Sequence, residues 1–402
     1  MGVEVAPRGR RRRLLLALAV LATAANLRPA LAVVGPLLAP IRADLGLSAA
    51  TASVLTTVPV LCFGLLSPLA RPIARRLGPE HTVVTALVGL GLGTLLRLGP
   101  SPATLLAGTV LVGGSIAVAN VLLPVIVKLE FPERAGLVTG LYTTVLSLAS
   151  AVAAGTAVPL AALLAVGWRG GFAAWLVPIG LAIAAWLPRL RSGVSEPVVA
   201  AGPPARATQL ARSPLAWQVA VLFGIQSLGF YAVLAWLPSV YTGLGLPPVA
   251  AGGLLGLAIL VGTGASFVAP SLAARVPDQR PHLVVATLAT AAGLAGIAVA
   301  PLAAPPLWAV LVGAGQGATF PLVLTVIVLR SRTAEETARL SVFAQSVGYV
   351  IAAFGPLAVG LVHDATGSWS AAIGIVAALM VPQLLAALGA GRPRPFAEAA
   401  PR

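Results

Sequence analysis

Ala25-Asn26-Leu27-Arg28-Pro29-Ala30 is the stretch on which the reading of this chain turns. It lies inside the first long apolar run, Leu14 to Leu37, where the only other polar side chain is Thr23. Arg28 stands nine residues before Leu37, about 14 Å away at the rise of an α-helix. That depth is well inside a hydrocarbon layer roughly 30 Å thick. An arginine there costs about 2.5–3.5 kcal/mol on insertion scales and normally faces a protein interior or a water-filled cavity. Pro29 has no N–H and its ring clashes with the carbonyl of Ala25, so a helix is expected to break at this point. A charge and a break together inside a membrane span mark a candidate binding site.

The whole chain supports that membrane reading. Its 402 residues are 58% hydrophobic and 9% charged, with a mean hydropathy of +0.98. Soluble domains carry about 25% charged residues, so the fold class expected is an all-α integral membrane protein. The net charge of +15 comes from short basic clusters between apolar runs. This is the pattern of membrane topology and not of a nucleic-acid-binding face. Arg10 to Arg13 followed by Leu14 to Ala25 also has the outline of a secretory signal peptide. The apolar run continues past Pro29 to Leu37, however, and eleven more runs follow, which favours a retained first span.

Several chemistries are disfavoured by single residues. Cys62 is the only cysteine, which rules out an intrachain disulfide or a thiolate metal cluster. Lys128, the only lysine, follows Val127 and not a glycine, so the chain has no Walker motif with which to use ATP. None of His81, His282 and His363 precedes a glutamate, which removes the helical zinc-protease pattern. No nucleophile-and-base pair or paired carboxylates suggest an enzyme. No cofactor or metal is expected.

Apolar windows long enough to span fall at about 14–37, 50–70, 82–99, 102–127, 136–162 and 170–188. A second set falls at about 215–240, 249–274, 282–301, 305–329, 340–362 and 370–390. The N-terminal tail, the even-numbered connections and the C-terminal tail hold 22 of the 26 Lys and Arg residues. The odd-numbered connections hold only Arg42, Arg97 and Arg169, and Arg28 is intramembrane. By the positive-inside rule both termini are cytoplasmic, and the chain is expected to be multi-pass in the cytoplasmic membrane.

The organisation expected is a tail at 1–13, a six-helix half at 14–188, a linker at 189–214, a second half at 215–390 and a tail at 391–402. The linker is rich in Pro, Gly, Ala and Arg, as in Gly202-Pro203-Pro204. The halves match at an offset of about 200: Leu111-Val112-Gly113-Gly114 with Leu311-Val312-Gly313-Ala314, Gly64 with Gly264, Arg75 with Arg275. Two parallel repeats imply a pseudo-two-fold axis along the membrane normal and a substrate site near the midplane. The same offset pairs Asn26 with Gln226 but Arg28 with Leu228, so any cavity is asymmetric in charge.

Polar side chains at mid-span depth are few. Asn120, Tyr142, Gln226, Tyr231, Gln316, Gln345 and Tyr349 are the main ones, and each has interhelical hydrogen bonding as its plain alternative. Gln345 and Tyr349 share a helix face with Ser341. All eleven acidic residues sit in tails, connections or span ends, so proton coupling is either absent or runs through the substrate. A cavity with one cation, amides and phenols suits a small anion or a polar neutral molecule and repels a cationic drug. The candidate binding set is Asn26, Arg28, Asn120, Tyr142, Gln226, Tyr231, Gln345 and Tyr349, with Pro29, Pro124 and Pro321 as hinges or breaks.

The residues also resemble a known group, the cyanate and 2-nitroimidazole transporters of the major facilitator superfamily. The resemblance rests on Asn26-Leu27-Arg28-Pro29-Ala30, Leu55-Thr56-Thr57-Val58-Pro59 through Gly64, and Ala119-Asn120-Val121-Leu122-Leu123-Pro124. It continues in Thr139-Gly140-Leu141-Tyr142-Thr143, Gln226-Ser227 through Pro238, Phe320-Pro321-Leu322 and Ala344-Gln345-Ser346-Val347-Gly348-Tyr349. His363-Asp364-Ala365-Thr366-Gly367-Ser368-Trp369 completes it. It implies twelve helices, alternating access and a small solute such as cyanate or a nitroimidazole. The chain is expected to act as a monomer in the bilayer. Efflux of a toxic neutral or zwitterionic compound is the alternative. The superfamily's second-to-third-span loop usually carries an Asp before its basic residues; Ala70 and Pro72 occupy that neighbourhood here.

Overall fold

The computed structural model describes residues 7–66, 69–131, 135–190, 212–273, 275–331 and 334–393. Most of the expected linker, 191–211, and the ends of both tails lie outside the described residues. Every regular element among the described residues is a helix. In chain order these are α1 (Pro7–Leu27), α2 (Pro29–Ala32), α3 (Val34–Leu45), α4 (Ala49–Leu66), α5 (Ala70–Leu77) and α6 (Pro79–Arg97). Then come α7 (Pro102–Glu130), α8 (Ala135–Leu163), α9 (Trp168–Ala173), α10 (Leu176–Leu190), α11 (Pro214–Gly243) and α12 (Pro248–Ala273). The last are α13 (Arg280–Val299), α14 (Pro305–Arg330), α15 (Ala334–Thr366), α16 (Trp369–Ala378) and α17 (Met380–Ala390). Among the described residues, twelve stretches are long and apolar enough to cross a membrane, from Arg13–Ala32 to Trp369–Ala390, each within a few residues of its hydropathy window.

Local chemistry sets many of the boundaries. Proline stands in the first turn of α6, α7, α11, α13 and α14, where its missing N–H costs nothing. Ser101 opens α7 with a reciprocal capping box to Thr104. Ser213 and Ser368 cap α11 and α16 by accepting the N–H groups of Ala216 and Ala371. Gly78 turns the chain between α5 and α6 at a φ of +82°, a conformation that favours glycine.

Packing divides the chain into two compact units, Met1–Leu37 with Leu65–Ala200, and Leu38–Gly64 with Ala201–Arg402. Residues 38–64, which fall in the first repeat by sequence, pack with the second unit. Within each unit the repeat recurs as one close contact. A Cβ on Gly93 would lie 2.9 Å from the backbone nitrogen of Val112, and one on Gly293 would lie 2.8 Å from that of Val312. Both pairs sit at the offset of 200 read from the sequence. Small residues let helix backbones approach in this way without side chains between them.

Charged residues tie helix ends together inside each unit. In the first, Arg189 at the end of α10 pairs through Nε with Glu80 at 2.5 Å and through Nη2 with Glu130. In the second, Arg330 at the end of α14 donates to Gln279 and, at 2.8 Å, to the carbonyl of Gly391. Beside it, the guanidinium and backbone N–H of Arg280 hold the Asp278 carboxyl down to about 2. That contribution is in place above the ordinary value of 3.8 and fades only as pH falls toward about 2.

The second unit also explains the His363-Asp364 motif. The Asp364 carboxylate accepts the N–H groups of Ala49 at 2.9 Å and Ala50 at 2.7 Å, the first two residues of α4. These donors have no partner within their own helix. Arg42 lies 3.9 Å from the same carboxylate and 5.9 Å from the centroid of Trp236. A Cβ on Gly360 would sit 2.8 Å from the carbonyl oxygen of Ala49, so the backbones nearly touch. Asp364→Ala is expected to cost about 1 kcal/mol, the worth of a helix cap. Thermal melting in detergent reads this directly, and an unchanged midpoint removes the capping role.

Candidate functional site

α1 ends at Leu27, and Arg28 stands alone before the four-residue α2. The carbonyl of Arg28 accepts both the Leu31 and Ala32 N–H groups at 3.0 Å, so the turn after it is tightened. Arg28 keeps a helical φ of −83° and ψ of −33°. The interruption therefore lies in the hydrogen-bond register more than in the direction of the chain. α7 and α14 run through Pro124 and Pro321 without interruption. A missing N–H inside a long membrane helix is tolerated because neighbouring groups satisfy the backbone around it.

In the first unit, Arg28 is half-buried and Asn26 is 2% exposed. Asn26 donates through Nδ2 to the carbonyls of Ala22 at 2.8 Å and Pro178 at 3.1 Å, which ties α1 to α10. Its Oδ1 is buried with no hydrogen-bond partner among the described residues. One turn earlier, Thr23 accepts the indole N–H of Trp186 at 2.9 Å, again from α10. Asn120 is exposed on α7, and Tyr142 is buried on α8.

In the second unit, Tyr231 and Tyr349 come together around Phe63, with ring centroids 6.5 and 6.0 Å from it. Phe223 continues the cluster, 5.2 Å from Tyr349 and 5.6 Å from Phe320. These tilted and edge-on contacts suit aromatic quadrupoles and leave flat faces of phenyl and phenol character. Gln226 is buried and donates to the backbone carbonyl of Gln316 at 3.3 Å, while its Oε1 accepts from Ser227 at 3.1 Å. Gln345 donates to Ser341 at 2.7 Å, four residues away on the shared face.

Two groups escape a reading by sequence alone. Arg97, counted with a connection, is the last residue of α6, and its side chain is almost fully buried. Its signal is the flanking Leu95-Leu96 and Leu98, apolar on both sides of a charge. Phe63 gives no signal of its own, because one phenylalanine in an apolar run resembles any other. Arg169 stays near a span end, donating to the carbonyls of Leu98 at 3.1 Å and Gly99 at 3.3 Å. Among the described residues no three His, Cys, Asp or Glu side chains gather closely enough to hold a metal. In the first unit the candidates offer amides, a phenol and a half-buried guanidinium; in the second they offer amides and aromatic faces.

Comparison with known proteins agrees. The sequence profile of the Major Facilitator Superfamily matches residues 14–356. The chain is 38% identical over 380 residues to the 2-nitroimidazole transporter of Escherichia coli (strain K12), covering 94% of this chain and 96% of that one. It is 29% identical over 345 residues to the cyanate transport protein CynX of the same organism, covering 86% and 88%. Its fold is similar to that of a bacterial homolog of the human lysosomal transporter Spinster, solved in an inward-facing and unoccupied conformation. The TM-score is 0.77 at 15% identity, covering 99% of this chain and 100% of that one. Family and relatives are transporters and not enzymes, which makes this a multi-pass membrane carrier of small solutes. The chain belongs to the Major Facilitator Superfamily, in its cyanate and 2-nitroimidazole transporter family.

Proposed function

We propose that this chain is a secondary carrier that moves a small anionic or polar solute, cyanate-like or nitroimidazole-like, across the cytoplasmic membrane by alternating access. The observation that carries the reading is Arg28, half-buried at the interruption of the first span. A guanidinium there offers a forked donor to an electron-rich solute end, and cyanate and nitro groups both present one. The names of the two relatives point to the same chemistry. Asn26, Asn120, Tyr142, Gln226, Tyr231, Gln345 and Tyr349 supply polar contacts. Access alternates between the two sides of the membrane, with both termini in the cytoplasm and the monomer as the working unit. With the carboxylates confined to span ends, transport follows the solute's own gradient or a proton that the solute itself carries.

The test is counterflow of labelled cyanate and labelled 2-nitroimidazole in proteoliposomes. Saturable counterflow of either supports the carrier. Flux that rises linearly with concentration, or no flux of either, overturns it.

The aromatic cluster of Phe63, Tyr231 and Tyr349 favours a second reading, efflux of a neutral planar compound. Growth protection by the intact gene against nitroimidazoles, without faster uptake, distinguishes that direction.

A further inference from the structure

Arg97 is 1% exposed at the end of α6. Its Nη1 donates to the carbonyl of Ala30 at 2.8 Å, and its Nε to Thr109 Oγ1 at 3.2 Å. The guanidinium lies 5.5 Å from the ring centroid of Phe172. Nη2 is buried with no hydrogen-bond partner, and no carboxylate pairs with the group among the described residues. A buried guanidinium without a counter-ion is an expensive way to fill space. Its shortest hydrogen bond goes to a backbone carbonyl in α2, two residues beyond Arg28. In a membrane, an interrupted helix persists only where neighbouring groups satisfy its backbone, and Arg97 does this for α2.

The repeat supplies an internal control. At the offset of 200, Leu228 stands for Arg28, Gly229 for Pro29, Phe230 for Ala30, Ile297 for Arg97 and Ala309 for Thr109. α11 runs unbroken through this region, from Pro214 to Gly243. The repeat that lacks the cation and the break thus lacks the arginine and its threonine as well. The glycine contact between the same two helices is nevertheless kept, Gly93 on Val112 and Gly293 on Val312. Helix packing alone therefore does not require Arg97. The interrupted first span does.

We infer that Arg97 is a positioning residue for the solute site: it holds the Ala30 carbonyl and so fixes the tightened turn from which Arg28 presents its guanidinium. Arg97 itself does not touch the solute. Without it the Ala30 carbonyl loses its donor and the turn beside Pro29 is free to shift, and because each helical residue turns the chain by about 100°, a small change of register redirects Arg28. The inference rests on Arg28 engaging the solute.

The test measures KM and Vmax in proteoliposomes for whichever of labelled cyanate and 2-nitroimidazole the wild type carries, alongside the fraction of folded protein. The variants are Arg97→Gln, Thr109→Val, Arg28→Lys, Arg28→Ala and the Arg28→Lys/Arg97→Gln double. Arg97→Gln is expected to raise KM about tenfold, the scale of one misaligned charge-assisted hydrogen bond, with Vmax within about twofold. Thr109→Val, which keeps the charge and removes one of its acceptors, should raise KM less and in the same direction. The Arg28 and Arg97 changes should not multiply, because both act through one guanidinium. An unchanged KM in folded Arg97→Gln, or effects that multiply in the double variant, overturns the inference. If Arg97→Gln does not fold, Thr109→Val decides, and an unchanged KM there overturns it. Wild-type kinetics in Arg28→Lys and Arg28→Ala, or no carriage of either solute, removes the site reading and this inference together. Loss in the Arg28 variants with normal Arg97→Gln removes only the inference.

Discussion

Arg28→Ala is expected to reduce solute uptake by roughly 10- to 150-fold at subsaturating concentration, the worth of a hydrogen bond to a charged group converted to affinity. The folded yield should not fall. An arginine inside a membrane span is costly, so alanine relieves that cost. That combination separates a binding residue from a structural one: a structural arginine loses fold and function together. Arg28→Lys keeps the charge but gives up the planar fork, and should fall between wild type and alanine. Uptake by proteoliposomes of matched protein content makes the measurement, with size-exclusion profiles as the check on folding. Wild-type uptake by Arg28→Ala removes Arg28 from the site.

Arg189→Met is expected to act in the opposite sense, on stability. Glu80 is almost fully buried, Glu130 is partly so, and Arg189 pairs with both. Removing one partner of a buried ion pair leaves uncompensated charge and costs about 3–5 kcal/mol, a large share of the stability of a typical protein. The melting temperature should drop sharply, or little folded protein should be recovered. Arg189→Met with Glu80→Gln and Glu130→Gln should regain part of the loss, because neutral amides are cheaper to bury than carboxylates. A melting temperature unchanged from wild type in Arg189→Met sinks the ion-triad account.

The sites differ in how far they were legible. Arg28 and Pro29 stand out because a charge and a missing N–H are conspicuous in an apolar run. Gln345 finds Ser341 at the expected helical spacing of four. Asn26 was equally conspicuous, but the structure has it donating to the backbone of Pro178 on α10. No local pattern could reveal that partner, 152 residues away in sequence. Asp364 was visible only as part of a motif; that it caps α4 depends on a contact 315 residues long.

By itself the sequence determined the membrane class and the twelve spans, and marked Arg28 and Pro29 as unusual within the first of them. Those follow from local energetics: transfer of apolar surface into lipid, the cost of an intramembrane charge, and the hydrogen bond that a proline cannot make. Only the tertiary structure decided what each polar group does. It assigned residues 38–64 to the second packed unit, drew Tyr231 and Tyr349 around Phe63, and turned Arg97 from a connection residue into the partner of Ala30. The physical reason is that satisfying a buried donor or carbonyl is a non-local problem. Inside a membrane, water cannot serve as the partner, so a group that its own helix leaves unsatisfied has to be met by another helix.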